Sequence, residues 1–410
     1  MSSDWPLQKL SELGNFERGK SKHRPRNAPH LYGGPYPFIQ TGDIANSNGH
    51  LTSFHETYSE AGLAQSRLWP AGTLAITIAA NIAETALLTF PACFPDSVVG
   101  FVADPSKADV RYIAYLLQAM RQQVKSHAYG SVQENINLEV LRGLEFPVPP
   151  LLKQIAIADQ LAVIDDRITL LRETNKTLEA IAQAIFKSWF VDFDPVSAKM
   201  DGRQPAGMDE ETAALFPDEL VKSELGLIPK GWEVSSFEGF IDRLSVGKKY
   251  DQKTAQPEGL VPILDQGRSG IIGYHNDEPG VVASLDEPVV VFANHTCYMR
   301  LILFPFSAIQ NVLPFRGKGI DTVWVYFATK DRQRFQEYKG HWPDFVANKS
   351  VLPGSVLTEA FRHIVDPLMR RVRVNELSLN SLVSARDTLL PRLISGKLRV
   401  PIDEVEPSEA

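Results

Sequence analysis

Two long heptad patterns constrain the fold of this chain more than any other feature of its sequence. Apolar side chains recur at alternating steps of three and four residues over 161–189, and the same steps recur position for position over 365–393. This spacing is typical of helices that pack along a coiled-coil seam. Each seam carries one asparagine, Asn175 or Asn375. An asparagine in a seam costs stability but fixes register, whereas the alternative for Asn175 is an exposed polar residue on the helix surface.

The segments before the two heptad patterns also resemble each other. "DWPLQKLSELGNFERGK" (4–20) matches "GWEVSSFEGFIDRLSVGK" (231–248), and "PFIQTGD" (37–43) matches "PILDQGR" (262–268). A third pair of segments, 78–102 and 291–315, follows in the same order. The order indicates two related globular domains, each followed by a long helix. Two helices with apolar seams should pack on each other, and a pseudo-twofold repeat would pair them antiparallel with the domains at opposite ends.

The predicted fold class is α+β, with two globular α/β domains in tandem repeat separated by two long helices packed as an antiparallel coiled coil. The predicted boundaries are a first domain at 1–150, a first long helix at 151–193, a linker at 194–229, a second domain at 230–352, a second long helix at 353–397 and an acidic tail at 398–410.

Prolines and one glycine set the expected ends of these helices. Pro195 should end the first helix, and Gly396 is a plausible cap for the second. Inside the second helix, Pro367 predicts a late start or a kink, and Pro391 predicts fraying or a break. In the linker at 194–229, we expect one short helix.

Composition narrows the class of protein. The chain has 410 residues, 44% of them hydrophobic, and can bury sizeable cores. Its two cysteines, Cys93 and Cys297, lie far apart, match no zinc spacing and suggest a reducing compartment. The sequence contains neither a signal peptide nor a bilayer-spanning apolar run, so we expect a cytoplasmic protein without a membrane partner. The net charge of −7 argues weakly against nucleic acid, although a whole-chain sum can hide a basic face.

Three segments resemble a known family, the specificity (S) subunits of type I restriction–modification systems. The stretch from "FPVPPLLKQ" to "WFVDFDPV" (146–196) resembles the family's first central helix, "SELGLIPKGWEV" (223–234) its entry to the second target recognition domain, and 355–400 its second central helix. The chain departs from the family pattern at Lys153, where an acid is usual. The second half has no counterpart of this motif before its helix.

The resemblance implies a non-catalytic reader of double-stranded DNA. Each target recognition domain would read one half of a bipartite asymmetric site, and the helices would set the spacer. One such subunit binds two modification (M) subunits, which use S-adenosylmethionine for adenine-N6 methylation. Restriction (R) subunits, which use ATP and Mg, complete the nuclease. The resemblance therefore implies no cofactor bound by this chain, in a system of DNA modification and antiviral defence.

The residues themselves agree with a chain that lacks catalysis. We find neither a phosphate-binding loop nor a methyltransferase [DN]-P-P-[YF] motif. The nearest candidate is "DFDP", where Asp192 and Asp194 have no third acid or histidine nearby in sequence. We interpret this pair as a helix terminus that needs a cation, since acids at a helix C-terminus are disfavoured. The adjacent aromatic residues predict packing between helix and domain, or a docking surface for an M subunit.

DNA binding requires cations for phosphate contacts and polar groups at base edges. Candidate cations for phosphate contacts lie in the densest basic loop, 17–30, and in its counterpart in the second half. The alternative for these residues is a run of charges that contacts only solvent. Polar side chains at the ends of the matched strands are candidates for contacts with base edges. A polar loop at 130–141 supplies further candidates, for which helix capping is an equal alternative. The predicted DNA-binding residues are Arg18, Lys20, Lys22, Arg24, Arg26, Gln40, Thr41, Asp43, Gln133, Asn135, Asn137, Lys248, Lys249, Gln266, Arg268, Arg316, Lys318 and Lys349.

Two other readings compete with the DNA reader. The first is that the chain is itself a methyltransferase or a nuclease. We do not expect this, because the two repeats occupy both halves of the 410 residues and leave no segment for a catalytic domain. A coiled-coil scaffold without DNA function is the second alternative, and it predicts no salt-dependent binding to duplex DNA. The basic cluster on the second helix, Arg362, Arg370, Arg371 and Arg373, could face the DNA backbone or water.

Overall fold

The structure is a computed structural model, and it describes residues 5–79, 82–126, 138–267, 270–337 and 339–401. The chain divides into two compact units. Unit 1 comprises Met1–Thr169 and Leu379–Ala410, and unit 2 comprises Leu170–Ser378. The two 40-residue helices, Leu151–Phe190 and Ser355–Ile394, each contribute residues to both units.

Unit 1 is built on a five-stranded sheet and two separate strand pairs, β1–β9 and β3–β5. Its strands are β1 (Leu7–Lys9), β2 (Gly14–Arg18), β3 (Tyr32–Phe38), β4 (His50–Leu51), β5 (Glu56–Tyr58), β6 (Leu74–Thr77), β7 (Thr85–Leu88), β8 (Val98–Ala103) and β9 (Glu145–Pro147). Its helices are α1 (Leu10–Leu13), α2 (Thr41–Asn46), α3 (Glu60–Ala64), α4 (Val110–Ala119), α5 (Arg121–Ser126), α6 (Leu138–Gly143) and the start of α7 (Leu151–Phe190), with a 3-10 turn at Pro29–Leu31.

Unit 2 begins with the rest of α7 and the linker. Its further helices are α8 (Asp194–Met200), α9 (Glu210–Ala214), α10 (Phe237–Phe240), α11 (Thr322–Thr329), α12 (Trp342–Ala347) and the larger part of α13 (Ser355–Ile394). Its strands are β10 (Leu220–Ser223), β11 (Gly226–Pro229), β12 (Glu233–Ser236), β13 (Ile241–Arg243), β14 (Val261–Leu264), β15 (Ile271–His275), β16 (Val289–Ala293), β17 (Met299–Ile302), β18 (Ser307–Ala308), β19 (Val312–Gly317) and β20 (Lys349–Leu352).

The two units repeat one topology, which confirms the tandem repeat. In unit 1 the main sheet has the order β2-β8-β6-β7-β4, and in unit 2 the order is β13-β19-β16-β17. A short helix precedes the edge strand in both units, and an antiparallel pair, β1–β9 or β12–β20, brings the domain's first strand beside the strand that leads into a long helix. The predicted α+β fold class is therefore confirmed.

Both long helices bury the predicted seam. In unit 1 the start of α7 and the end of α13 share one core cluster, which includes Leu161 and Leu393. In unit 2 the second half of α7 and the first half of α13 share another cluster, which includes Ala182 and Val365. Within each unit the early part of one helix thus packs with the late part of the other, as in an antiparallel pair.

The two asparagines of the seam meet in unit 2. The Asn375 amide donates a 2.7 Å hydrogen bond to Oδ1 of Asn175, and the Asn175 amide reaches the Val372 carbonyl at 3.4 Å. Asn375 is buried and Asn175 is half-buried, so neither lies on a fully exposed surface. The seam interpretation of Asn175 is therefore confirmed.

The observed helix ends correct part of the sequence prediction. Helix α7 ends at Phe190, three residues before the predicted end, because Phe193 adopts a left-handed conformation with φ 56° and a new helix, α8, starts at Asp194. Pro195 lies in the first turn of α8, where a missing N–H costs nothing. The linker contains two short helices and a hairpin rather than one short helix.

The second long helix tolerates both of its prolines, so the late start at Pro367 and the break at Pro391 were wrong. It begins at Ser355 and continues to Ile394. The carbonyl that loses its partner to Pro367 is that of His363, on an exposed turn where water can replace the N–H. Gly396 follows with φ 76° and donates to the Leu393 carbonyl at 3.1 Å, as expected of a cap.

Candidate nucleic-acid interface

The predicted base-reading loop of unit 1 begins where β3 ends. The amide of Ile39 donates to the Cys93 carbonyl at 2.8 Å, which fixes the strand end, and Gln40 then starts helix α2. The Gln40 N–H donates to Asp43 at 2.8 Å, and the Gln40 amide group donates to Glu56 at 2.7 Å. Asp43 also accepts from His55 at 3.0 Å. These polar groups hold one another in place, while Gln40 remains exposed and Thr41 half-exposed.

The matched loop of unit 2 has the same backbone arrangement. Ile263 of β14 pairs in parallel with Ser307, as Phe38 of β3 pairs in parallel with Cys93. The chain then passes through Gln266, whose side-chain oxygen accepts from the His295 N–H at 3.0 Å. Gln266 is half-buried, and Arg268 lies outside the described residues. The sequence match between 37–43 and 262–268 therefore reflects a shared structural position.

The basic loop of unit 1 separates into paired and unpaired cations. Arg26 forms an ion pair with Asp96 at 2.9 Å, and the Arg24 guanidinium folds back onto the Ser21 carbonyl at 2.7 Å. Arg18, Lys20 and Lys22 are exposed, and within the part of the chain that the structure describes they have no ionic partner. Three free cations thus lie at the end of the edge strand β2 and in the four residues after it.

Neighbouring residues hold this loop in place. The Lys20 carbonyl accepts from the Ser66 hydroxyl at 2.8 Å, and the His23 N–H donates to the Gln65 side chain at 3.0 Å. The backbone is therefore anchored to the end of helix α3 while the side chains of Lys20 and Lys22 extend into solvent. Such an arrangement suits phosphate contacts, which need cations at defined places.

Most of the predicted cations of unit 2 are already paired. Lys248 lies 2.7 Å from Asp277, which raises the pKa of Lys248 and, with the Tyr250 hydroxyl, lowers the pKa of Asp277. Lys349 pairs with Glu224 at 2.6 Å. Arg316 donates to the Val282 carbonyl at 2.8 Å and lies 3.6 Å from Glu287. Of the predicted cations that the structure describes in unit 2, Lys249 and Lys318 are exposed without an ion pair.

Two further groups of predicted residues have different outcomes. Gln133, Asn135 and Asn137 lie outside the described residues.

On the second long helix, Arg362 pairs with Asp321 at 3.1 Å, Arg370 with Asp286 at 2.8 Å and Arg373 with Glu376 at 3.3 Å. Arg362 and Arg370 therefore fasten the helix to other parts of its unit, the Arg373 pair lies within the helix, and Arg371 is exposed.

The two acids that follow α7, Asp192 and Asp194, contact side chains of this chain. Asp192 pairs with Lys187, and the Ser188 hydroxyl donates to Asp194 at 2.7 Å. Asp194 is also the first residue of α8, where the helix dipole favours an acid. Among the residues that the structure describes, no group of three potential metal ligands occurs anywhere. The adjacent aromatic side chains Phe186, Trp189 and Phe190 are buried against the domain, which confirms the packing interpretation.

Sequence reasoning missed a loop in unit 2 at 331–337. It lies with Gln266 on the wall of one cavity of about 360 Å³ and exposes the side chains of Arg334 and Phe335. The segment was overlooked because it has no matching sequence in the first half. Its position between α11 and the short helix α12, however, matches that of residues 127–137, which lie between α5 and α6 along the chain.

Comparison with known proteins gives a consistent family. Residues 2–180 match the family model described as "Type I restriction modification DNA specificity domain". A specificity subunit of the type I restriction enzyme MjaIX from Methanocaldococcus jannaschii is 24% identical, over 97% of this chain and 94% of its own length. The specificity subunit of HindI from Haemophilus influenzae is 23% identical, over 64% of this chain and 71% of its own length.

A solved structure has the same fold. A crystal structure of a type I restriction–modification S subunit from M. genitalium superposes with a TM-score of 0.58 at 16% identity, covering 95% of this chain and 96% of that one. Residues 2–180 thus match a DNA specificity domain, and over nearly its whole length the chain is similar to specificity subunits of type I restriction–modification systems. No helix in the described part of the chain is both long and apolar enough to cross a membrane.

Proposed function

We propose that this chain reads a bipartite, asymmetric DNA site, with unit 1 reading one half and unit 2 the other. The observation that carries the proposal is the structural repeat, because two copies of one domain with matched strand ends suit two separate base-reading sites. The sequences at those strand ends differ, Gln40-Thr41 in unit 1 and Asp265-Gln266 in unit 2, and different side chains read different bases. The site should therefore be asymmetric.

The long helices supply the second part of the proposal, a spacer of fixed length. Each has 40 residues, and at about 1.5 Å per residue each is about 60 Å long. The hydrogen bond between Asn175 and Asn375 fixes their register in unit 2. We propose that this register sets the number of base pairs between the two half-sites.

Exposed apolar residues on these helices suit a partner that is present in two copies. Leu152 and Leu170 of α7 are 70% and 56% exposed, and Val356 and Val374 of α13 are 60% and 52% exposed. Members of each pair are 18 residues apart, which is five helical turns, and so lie on one face of their helix. Each residue of α13 follows its α7 equivalent by 204 positions, the offset that also relates the seams. We propose that two M subunits cover these residues.

The chemistry of the complex would then reside in its partners. We propose that S-adenosylmethionine is bound by the M subunits, and ATP and Mg by R subunits, with no cofactor bound by this chain. Adenine would be methylated only where both units of this chain contact their half-sites.

Co-expression with the M subunit of the same system tests the proposal. Sequencing of the host DNA should reveal N6-methyladenine in a new split motif, which cells expressing the M subunit alone should lack. If a soluble complex forms and no split motif appears, the proposal is wrong. A scaffold without DNA function would also leave the complex unable to bind duplex DNA at any salt concentration.

Substitution of the free cations tests their phosphate contacts. With Lys20 and Lys22 replaced by Ala, the affinity of the complex for duplex DNA should fall, and the salt dependence should flatten by about one unit of slope per lost contact. Arg203→Ala is the matched control, since Arg203 is an exposed arginine paired with Asp201 and is not among the predicted DNA-binding residues. Equal salt dependence in the double variant and the wild type would exclude these lysines as phosphate contacts.

A further inference from the structure

One cavity in unit 2 is formed by three segments that are distant in sequence. The first contains the predicted reader Gln266, the second is the segment 296–299, and the third comprises Lys330 and the first part of the loop at 331–337. The Thr296 hydroxyl donates to the Gln266 carbonyl at 2.6 Å, and Gln266 accepts from the His295 N–H, so the first two segments are fastened to each other. The cavity has a volume of about 360 Å³, and its wall includes the Arg334 and Phe335 side chains.

The loop at 331–337 is anchored by its first half. The Arg332 guanidinium donates to the Lys349 carbonyl at 3.0 Å and lies over the Phe237 ring at 6.0 Å. The side-chain oxygen of Gln333 accepts from the Asn348 amide at 3.4 Å. Two consecutive side chains therefore point back into the domain, against the residues that lead into and out of the strand pair β12–β20.

The next two side chains, those of Arg334 and Phe335, are exposed to solvent. Arg334 is exposed and has no ion pair within the described ranges, and Phe335 is 55% exposed. The Phe335 ring meets the fully buried His341 edge-on, with 5.8 Å between ring centroids, which limits its movement. The phenyl group of Phe335 is therefore held at a defined place on the surface, where a partner can contact it.

The internal repeat relates this loop to a segment of unit 1. In unit 1, α4 and α5 are followed by 127–137 and then by the six-residue helix α6. In unit 2, α11 is followed by 330–341 and then by the six-residue helix α12. Both short helices lead into the strand that precedes a long helix. The loop with Arg334 and Phe335 thus occupies the chain position of the segment in which Gln133, Asn135 and Asn137 are predicted to contact DNA.

We infer that Arg334 and Phe335 determine base specificity in the half-site read by unit 2, together with Gln266. This inference rests on the proposed function, since it places the residues in one of the two half-sites. The chemistry of the three side chains is complementary. A guanidinium can bind O6 and N7 of guanine in bidentate fashion, an amide can pair with adenine, and a phenyl ring can pack on the thymine methyl group.

The test is the methylation motif of variants co-expressed with the M subunit. Arg334→Ala and Phe335→Ala should each relax the preference at one or two base pairs, by roughly tenfold or more, and only in one half of the split motif. Arg334→Lys retains the charge but lacks the planar fork, so it should relax the same position. Because both side chains are exposed, thermal melting of the purified complexes should be unchanged.

Matched controls separate specificity from general loss of binding. Arg203→Ala removes an exposed arginine of the linker that is paired with Asp201, and Phe54→Ala removes an exposed phenylalanine of unit 1. Neither should change the half-site that responds to Arg334 and Phe335. An unchanged motif in all three test variants, or uniformly lower methylation without a change of motif, would overturn the inference while the wild-type split motif still supports the proposed function. A wild type without a split motif would instead overturn the proposed function.

Discussion

Units 1 and 2 attach the same pair of helices to the same kind of domain by different chemistry. In unit 1 the seam position Arg386 forms an ion pair with Asp165 of α7 at 3.1 Å, and the Tyr115 hydroxyl of α4 donates to Asp165 at 2.7 Å. In unit 2 the equivalent seam position is Ala182, fully buried. Around it lies an aromatic cluster of Phe186, Trp189, Phe190, Trp232, Trp324, Phe327 and Phe361.

A second pair of equivalent residues makes the same contact in the two units with different side chains. Gln154 and Thr358 each occupy the fourth position of a long helix. The side chain of Gln154 accepts from the Asp109 N–H at 3.0 Å, and that of Thr358 accepts from the Asp321 N–H at 3.3 Å. Asp109 and Asp321 cap α4 and α11. The repeat therefore preserves which backbone group is bound and changes the side chain that binds it.

The difference predicts how each unit responds to perturbation. Aromatic packing is nearly independent of salt, whereas a half-exposed ion pair is screened. Around this seam position, unit 2 should therefore lose stability when a ring is deleted, and unit 1 when a charge is deleted.

The largest expected effect is that of Phe361→Ala in unit 2. Phe361 is fully buried and contacts the rings of Phe186, Trp189, Phe190 and Phe327. Truncation should lower the free energy of unfolding of unit 2 by about 3–5 kcal/mol in urea denaturation. Phe361→Leu keeps most of the volume and should cost clearly less. If the two variants were equally stable, the cluster would not hold the helices in unit 2.

Arg386→Ala should have the next largest effect, and in unit 1. It leaves Asp165 half-buried with the Tyr115 hydroxyl as its remaining partner, at a cost of about 1–3 kcal/mol. Raising the salt concentration should weaken the wild type and leave the variant nearly unchanged. Lys187→Ala, which removes an exposed cation paired with Asp192 in unit 2, is the control. Equal losses in the two variants would contradict a special role for Arg386.

The two seam asparagines should respond as a pair. Asn375→Leu alone leaves Asn175 without its partner and should cost about 1–2 kcal/mol, whereas replacement of both by Leu should be nearly neutral or stabilising. The double variant should nevertheless lose register specificity, visible as a broadened spacer in the methylation motif. A single sharp spacer in that variant would show that register is fixed elsewhere.

The smallest expected effect concerns alkaline pH. Burial and the hydrogen bond to Asp165 raise the pKa of Tyr115 above its ordinary value of about 10. A raised folded-state pKa contributes stability that is complete below pH 10 and is lost as the pH rises further. Tyr115→Phe should thus show a shallower loss of unfolding free energy above pH 10 than the wild type. Identical slopes would mean that Tyr115 does not contribute.

The seams, the repeat and the helix asparagines were predictable because they depend on spacing, which a sequence displays directly. The pairing of Lys248 with Asp277 and of Lys349 with Glu224 was not, because these partners lie 29 and 125 positions apart. Arg334 and Phe335 were missed for a related reason, since their loop resembles its counterpart in chain position and not in residue types. The late start considered at Pro367 was wrong because the cost of a helix proline depends on whether water reaches the freed carbonyl.

The most direct test of the central claim compares the methylation motifs of Gln40→Ala and Gln266→Ala, each co-expressed with the M subunit. If each unit reads one half-site, Gln40→Ala should change base preference in one half of the split motif and Gln266→Ala in the other half. Both should leave the spacer unchanged. Changes in the same half, or a motif unaltered in both variants while a soluble, active complex forms, would contradict the account.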